Sequence, residues 1–128
     1  MSAKSYTSRK MEQKNLVGTN LKICALFPLT GYRRTGQCAV GPNNRANVVC
    51  AIMTNEFLNF LKMKGEDLIT RRSGQWGLRD GDRWCISFQN WVDAYNYDPK
   101  IAPLIIPEST HEDLLIVMPK ATLEKYYI

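Results

Sequence analysis

The side chains best suited to chemistry lie in two short segments, one around Cys85 and one around His111, the single histidine of the chain. A cysteine acts as a nucleophile in its thiolate form, which a nearby cation or helix N-terminus stabilises, and a histidine can serve as its base. These residue types favour a hydrolase or transferase site. In that site Cys85 is the nucleophile, His111 the base, and Glu112 or Asp82 the residue that orients the imidazole.

The same residues also have a structural interpretation. Cys85 lies between Trp84 and Ile86, and an alternating strand there would turn the thiol into the core. A Thr-His-Glu corner can satisfy its own backbone, so a structural role for His111 fits the pattern equally well. Catalysis therefore depends on the two segments meeting at one hollow.

A second group of side chains predicts a pocket for a small polar or anionic ligand. Guanidinium groups bind carboxylate or phosphate through paired hydrogen bonds, and aromatic rings offer stacking faces. Several arginines lie near glycines, which let a ligand approach the backbone closely. The predicted ligand-binding residues are Arg34, Asp82, Arg83, Trp84 and Thr110. Further guanidinium groups could come from Arg33, Arg71 and Arg72, and further stacking faces from Tyr32 and Trp76. A soluble binding or accessory domain is the leading hypothesis, and a protein-interaction module that uses exposed aromatic residues is a third.

Several other kinds of site are disfavoured. The sequence contains neither G-x-x-x-x-G-K-[ST] nor G-x-G-x-x-G, so we expect no nucleotide phosphate cradle and no cofactor. Structural zinc usually takes its ligands in close pairs, whereas Cys24, Cys38, Cys50 and Cys85 form no C-x-x-C. We therefore expect reduced thiols in a cytoplasmic compartment and no metal site.

The net charge of +5 is concentrated at the start of the chain. This predicts a flexible basic leader over residues 1–14 and a single domain over residues 15–128, with organelle targeting by the leader left open. The few excess charges that remain, and the lack of a basic helix stripe, disfavour nucleic-acid binding. No apolar run reaches the roughly eighteen residues of a membrane span. The leader's charged residues are Lys4, Arg9, Lys10, Glu12 and Lys14.

Short apolar runs and capped amphipathic segments predict a mixed α+β fold. Residues 48–52 and 84–86 are typical of strands. Thr54 or Asn55 caps a helix to about residue 64, and Ser87 caps another to about residue 95.

The remaining segments are less regular. Residues 104–106, between two prolines, predict an edge strand; residues 114–117 are β-like; and Pro119 starts a final helix. Residues 66–83 form a long loop of the kind that often carries function. We expect one compact domain in which a small, mostly antiparallel sheet packs against two or three helices. Its pocket would lie where this loop meets the segments around Cys85 and His111.

Motifs spread over residues 15–127 carry a family resemblance. The strongest is Gly-Asp-Arg-Trp-Cys at residues 81–85, with Ser-Thr-His-Glu at 109–112, Pro-Leu-Thr-Gly at 28–31 and Val-Cys-Ala at 49–51. In their order and spacing these motifs resemble the family catalogued as domain of unknown function 2237. The resemblance implies no established activity.

The chain departs from that family's pattern at positions that could bind metal. Members often have a second cysteine where Ala25 stands, a W-C-x-C motif where Ser87 replaces the last cysteine, and a histidine where Asn47 stands. The usual Phe-Pro-Gly reads Gln-Trp-Gly at residues 75–77. The resemblance thus implies that a soft-metal site built on those positions would be lost in this chain.

Overall fold

The structure is a computed structural model that describes residues 13–31, 34–71 and 77–128. The predictions for the leader at residues 1–12, and for Tyr32, Arg33 and residues 72–76, fall outside that part of the chain. Gln13 is already anchored, since its side-chain amide donates to the Val40 carbonyl and accepts from the Val40 N–H, both at 2.8 Å.

Two strands form an antiparallel sheet at the centre of the domain. Strand β1 spans Val49–Ile52 and strand β2 spans Arg83–Ile86, as their β-branched and aromatic residues predict. The register pairs Cys50 with Cys85. The expectation of a small α+β domain with an antiparallel sheet is confirmed.

The two faces of this sheet pack against different clusters, because side chains alternate along a strand. Val49, Ala51 and Ile86 face the main core, which the helices cover. Cys50 and Cys85 face the other way, into a second cluster with Ile52 and Ile106.

Three α-helices lie in the described part of the chain, and each begins where the sequence predicts. Helix α1 spans Asn55–Met63, and the Thr54 hydroxyl caps it by accepting from the Phe57 N–H at 3.1 Å. Helix α2 spans Phe88–Tyr97, and Ser87 caps it in the same way. Helix α3 spans Lys120–Glu124 and follows Pro119. Burial of the apolar faces of α1 and α2 fixes these helices against the sheet.

The free edge of β1 is covered by residues 104–106. Ile52 donates to the Leu104 carbonyl at 3.0 Å, and Ile106 donates to the Cys50 carbonyl at 2.9 Å. The pairing amounts to one isolated bridge, at Ile105, and not to the predicted edge strand. The flanking prolines lack an N–H donor, which keeps the ladder from extending.

The β-like prediction for residues 114–117 is wrong, because Glu112–Ile116 forms a 3-10 helix. Leu114 is buried and the next three residues are exposed, so this segment buries one side chain and not an alternating set. The only other 3-10 segment in the described ranges is Pro107–Ser109. Among the helices of the described residues, none is long and apolar enough to cross a membrane.

Candidate functional site

All four cysteines are bonded in pairs, Cys24 with Cys50 and Cys38 with Cys85, which overturns the prediction of reduced thiols. They are between 0% and 4% exposed. Their partners lie 26 and 47 positions apart, so no local spacing signals the pairing. The even number of cysteines was the one feature of the sequence that pointed to it.

The sheet register explains how the cysteines come together. The N–H of Cys50 donates to the Thr110 hydroxyl and that of Cys85 to the Thr30 hydroxyl, each at 3.0 Å, so the two cysteines form a non-hydrogen-bonded pair. In such a pair the side chains approach most closely. The irregular chain from Cys24 to Cys38 lies over this face and supplies both partners.

Cys85 offers no thiolate in this bonded state, so the structure supplies no nucleophile at that position. Thr110, predicted to bind a ligand, is buried and uses its hydroxyl within the sheet. It accepts from the Cys50 N–H and donates to the Ile106 carbonyl at 2.9 Å.

His111 lies on the opposite side of β1 from Cys85. Its N–H donates to the Val48 carbonyl at 2.9 Å, and its Nδ1 accepts from the Asp113 N–H at 3.0 Å, which caps the following 3-10 helix. The prediction that the segments around Cys85 and His111 line one hollow is therefore wrong, because a strand separates them. Glu112 is exposed and its N–H donates to the Lys14 carbonyl.

Burial lowers the pKa of His111, and the nearby Asp113 and Glu112 carboxylates oppose that effect only in part. The His111 side chain is 8% exposed, and neutral imidazole is the form that accepts through Nδ1. These contacts indicate a structural role, in which His111 stabilises the start of the 3-10 helix.

A cleft of about 980 Å³ lies beside β2, and residues 84–87 form part of its wall. Its wall combines apolar side chains with a few polar and charged ones, as ligand sites usually do. The lining residues are 26–29, Gly31, Arg34, Asn47, 66–68, Thr70, Leu78 and 84–87.

Arg34 and Trp84, both predicted ligand-binding residues, meet in this cleft. The guanidinium carbon of Arg34 lies 5.2 Å from the centre of the Trp84 ring, which is within cation–π range. Its Nη1 also donates to the Gly31 carbonyl at 3.2 Å. The two side chains therefore present a charged fork held over an aromatic face.

Asp82 and Arg83 do not line the cleft. The Asp82 carboxylate accepts from the Arg79 N–H at 2.9 Å, and its carbonyl accepts from Met53 at 2.7 Å, so it ties the loop to the end of β1. Arg83 is exposed, on the cysteine side of the sheet.

Two acidic residues that sequence reasoning missed also line the cleft. Asp67 accepts from the N–H groups of Ile69 and Thr70, both at 2.9 Å, and hydrogen bonds from Thr70 are the main reason that its pKa falls to about 2. Glu66 accepts from the side-chain amide of Asn90 at 3.0 Å. The loop that contains them was predicted to be functional from its length. Asp67 was noted only as a position that matches the family, and nothing in the sequence pointed to Glu66.

Comparison of the sequence with curated proteins gives no match. The model of a family described as an uncharacterized protein conserved in bacteria, DUF2237, matches residues 14–127. Because the match covers nearly the whole chain, and because the motifs that carry it include both the Cys85 strand and the His111 turn, the chain belongs to this family.

Proposed function

We propose that this domain binds a small polar molecule in the cleft, with the Arg34 guanidinium as the anchor for an anionic group of the ligand. The observation that carries the proposal is the stack of Arg34 on Trp84 inside a cleft of about 980 Å³. That volume matches the size of known small-molecule sites, roughly 300–1,000 Å³. Leu68, Leu78 and Ile86 supply apolar wall for the rest of the ligand.

The backbone of Arg34 supports this role. Among the residues that the structure describes, Arg34 is the one non-glycine residue with a positive φ, at 56°. Such a conformation costs about 1–3 kcal/mol, and it persists mainly where the surroundings or a function require it. A hydrogen-bonded turn holds it, because the Arg34 N–H donates to the Gly31 carbonyl at 3.0 Å.

The charges in the wall narrow the class of ligand. Arg34 is accompanied by Glu66 and Asp67, and the low pKa of Asp67 keeps that carboxylate ionised at neutral pH. Two carboxylates repel a polyanion such as a nucleoside triphosphate. The cleft therefore favours a ligand with one carboxylate and a cationic or hydrogen-bond donating group, as in an amino-acid-like zwitterion.

The alternative of a cysteine–histidine hydrolase or transferase gains no support from this geometry. Cys85 is bonded to Cys38, and β1 stands between it and His111.

A fragment titration followed by amide NMR tests the proposal. The probes are aromatic monocarboxylates, aromatic amino acids and inorganic triphosphate. We expect the first two to shift the amides of Thr70, Trp84 and Ser87, and triphosphate to leave them unchanged. Shifts confined to other surfaces, or none with any probe, would contradict the proposal.

A matched pair of variants gives the control. Arg34→Gln should abolish the shifts. Arg45→Gln should retain them, because Arg45 is also an exposed arginine but pairs with Asp113 outside the cleft.

A further inference from the structure

We propose that the four cysteines form a second ligand site, which adjoins the cleft at Cys85 and binds one soft tetrahedral metal ion such as Zn²⁺ when both disulfides are reduced. The proposal rests on the convergence of three sulfur atoms, those of Cys24, Cys38 and Cys85, on one face of the sheet, with the fourth, that of Cys50, bonded to Cys24. It does not depend on the function proposed for the cleft.

The sulfur positions are close to those of a tetrahedral site. The Sγ atoms of Cys24, Cys38 and Cys85 all lie within 4.8 Å of one another, and Cys50 is bonded to Cys24. A zinc ion with Zn–S bonds of about 2.3 Å places its sulfur ligands about 3.8 Å apart. The sulfur atoms of Cys24, Cys38 and Cys85 therefore need to move by only about 1–2 Å, and the Cys50 sulfur, which starts next to that of Cys24, has to turn towards the other two. Side-chain rotation supplies both movements.

The fold brings cysteines together in pairs, although none of them are close in the sequence. Structural zinc sites commonly use a C-x-x-C turn to present two sulfur atoms together. Here the cross-strand pair of Cys50 and Cys85 does so through sheet register. Cys24 and Cys38 approach from the covering segment, with Cα–Cα distances of 5.6 and 5.3 Å to their bonded partners. Four ligands that are scattered in sequence are thus adjacent in space.

The surroundings suit a closed metal site. The cluster is buried, and Ile52 and Ile106 pack against it, so water is excluded once a metal is bound. Arg83 lies on the same sheet face two positions from Cys85, where its positive charge favours thiolates.

The chemistry balances with a dithiol as the reductant. Each disulfide takes two electrons and two protons and becomes two thiols, while each reductant molecule is oxidised to its own disulfide. One Zn²⁺ then forms four Zn–S bonds and displaces the four thiol protons. Two molecules of a disulfide oxidant, such as glutathione disulfide, each take two electrons from one pair of thiolates, so both bridges reform, the oxidant leaves as thiolates and the ion is released. Metal occupancy therefore follows the redox state.

The test compares oxidised protein with protein that has been reduced anaerobically by dithiothreitol and freed of reductant. Each is mixed with Zn²⁺, desalted and analysed for zinc per chain, with far-ultraviolet circular dichroism as the measure of folding. We expect one zinc per chain and a native spectrum in the reduced sample, and no zinc in the oxidised one. Substoichiometric zinc in the reduced sample, or equal zinc in both samples, overturns the proposal.

Two variants make the test specific. The double variant Cys24→Ser/Cys50→Ser removes half of the ligands and should bind zinc roughly tenfold or more weakly in competition with a chelator. Arg34→Gln leaves all four cysteines in place and should bind zinc like the parent chain. If zinc binds reduced protein that stays unfolded by circular dichroism, the site does not belong to the fold and the proposal fails.

Discussion

Cys50 and Cys85 face each other across the two strands, yet each is bonded to a cysteine outside the sheet. The two bridges therefore fasten the irregular segment between Cys24 and Cys38 onto β1 and β2 at adjacent points. A sheet of two short strands is marginally stable alone. These bonds, together with the helices on the other face, hold it in place.

The two disulfides should contribute unequally to stability. Loop-closure entropy predicts a loss of about 3.5 kcal/mol for Cys24→Ala/Cys50→Ala and about 4 kcal/mol for Cys38→Ala/Cys85→Ala, since the second loop is longer. The loops overlap in sequence, so each bridge constrains less while the other is present, and removing both should cost more than the sum of the two single losses. Denaturant unfolding of the oxidised variants measures this. Losses below about 1 kcal/mol would mean that the bridges do not constrain the unfolded chain.

The Thr30 and Thr110 hydroxyls, which accept hydrogen bonds from the N–H groups of Cys85 and Cys50, should also stabilise the fold. Thr30→Val and Thr110→Val keep the shape but leave a buried N–H without an acceptor, which costs about 1–3 kcal/mol. Thr110→Val should cost more, because that hydroxyl also donates to the Ile106 carbonyl at 2.9 Å. Thr35→Val is the control, since Thr35 is exposed and its change should stay within about 0.5 kcal/mol. Equal unfolding free energies for all three variants would contradict this account.

The buried position of His111 predicts a loss of stability in mild acid. Its pKa in the folded protein lies below the ordinary value of 6.5, so the folded state binds the proton less tightly than the unfolded state. The free energy of unfolding should therefore decrease as pH falls through and below 6.5. His111→Asn keeps a side-chain acceptor for the Asp113 N–H and removes the titrating group.

Urea unfolding at about pH 7.5 and about pH 5.5 compares the two proteins. His111 is the only histidine of the chain, so the variant should lose less stability between these pH values than the parent. If the variant and the parent lose the same amount of unfolding free energy between the two pH values, His111 does not bind a proton more tightly in the unfolded state.

The elements predicted correctly are those specified by nearby residues. The apolar run of β1 and the caps Thr54 and Ser87 each act within a few positions, so α1 and α2 begin where their caps lie. The strand prediction for residues 114–117 was wrong because a short apolar run is compatible with either a strand or a partly buried 3-10 turn.

The site was harder to predict because it depends on pairing across the chain. Arg34 and Trp84 were both predicted to bind a ligand, but they lie 50 positions apart and nothing in the sequence between them indicates that they touch. The disulfides reveal the same difficulty, since their pairing follows from sheet register and the path of the covering segment. The placement of His111 was wrong because the order of Cys85, β1 and the His111 turn across the sheet is a matter of topology.

Replacing Arg34 by glycine should separate binding from folding. Arg34→Gly relieves the cost of a positive φ but loses the contact with Trp84 and makes the unfolded chain more flexible, so the unfolding free energy should change by less than about 1 kcal/mol. The shifts caused by monocarboxylates at Thr70 and Trp84 should nevertheless disappear, because the anchoring charge is gone.

Gly31→Ala provides the contrast within the same turn. Gly31 has φ of +97°, and a Cβ there would overlap the backbone carbonyl of Gln37. We expect this variant to lose about 1–3 kcal/mol of stability together with binding. Denaturant unfolding and the same NMR titration distinguish the two variants. If Arg34→Gly destabilises the protein as much as Gly31→Ala does, the strained arginine serves the turn and not a ligand.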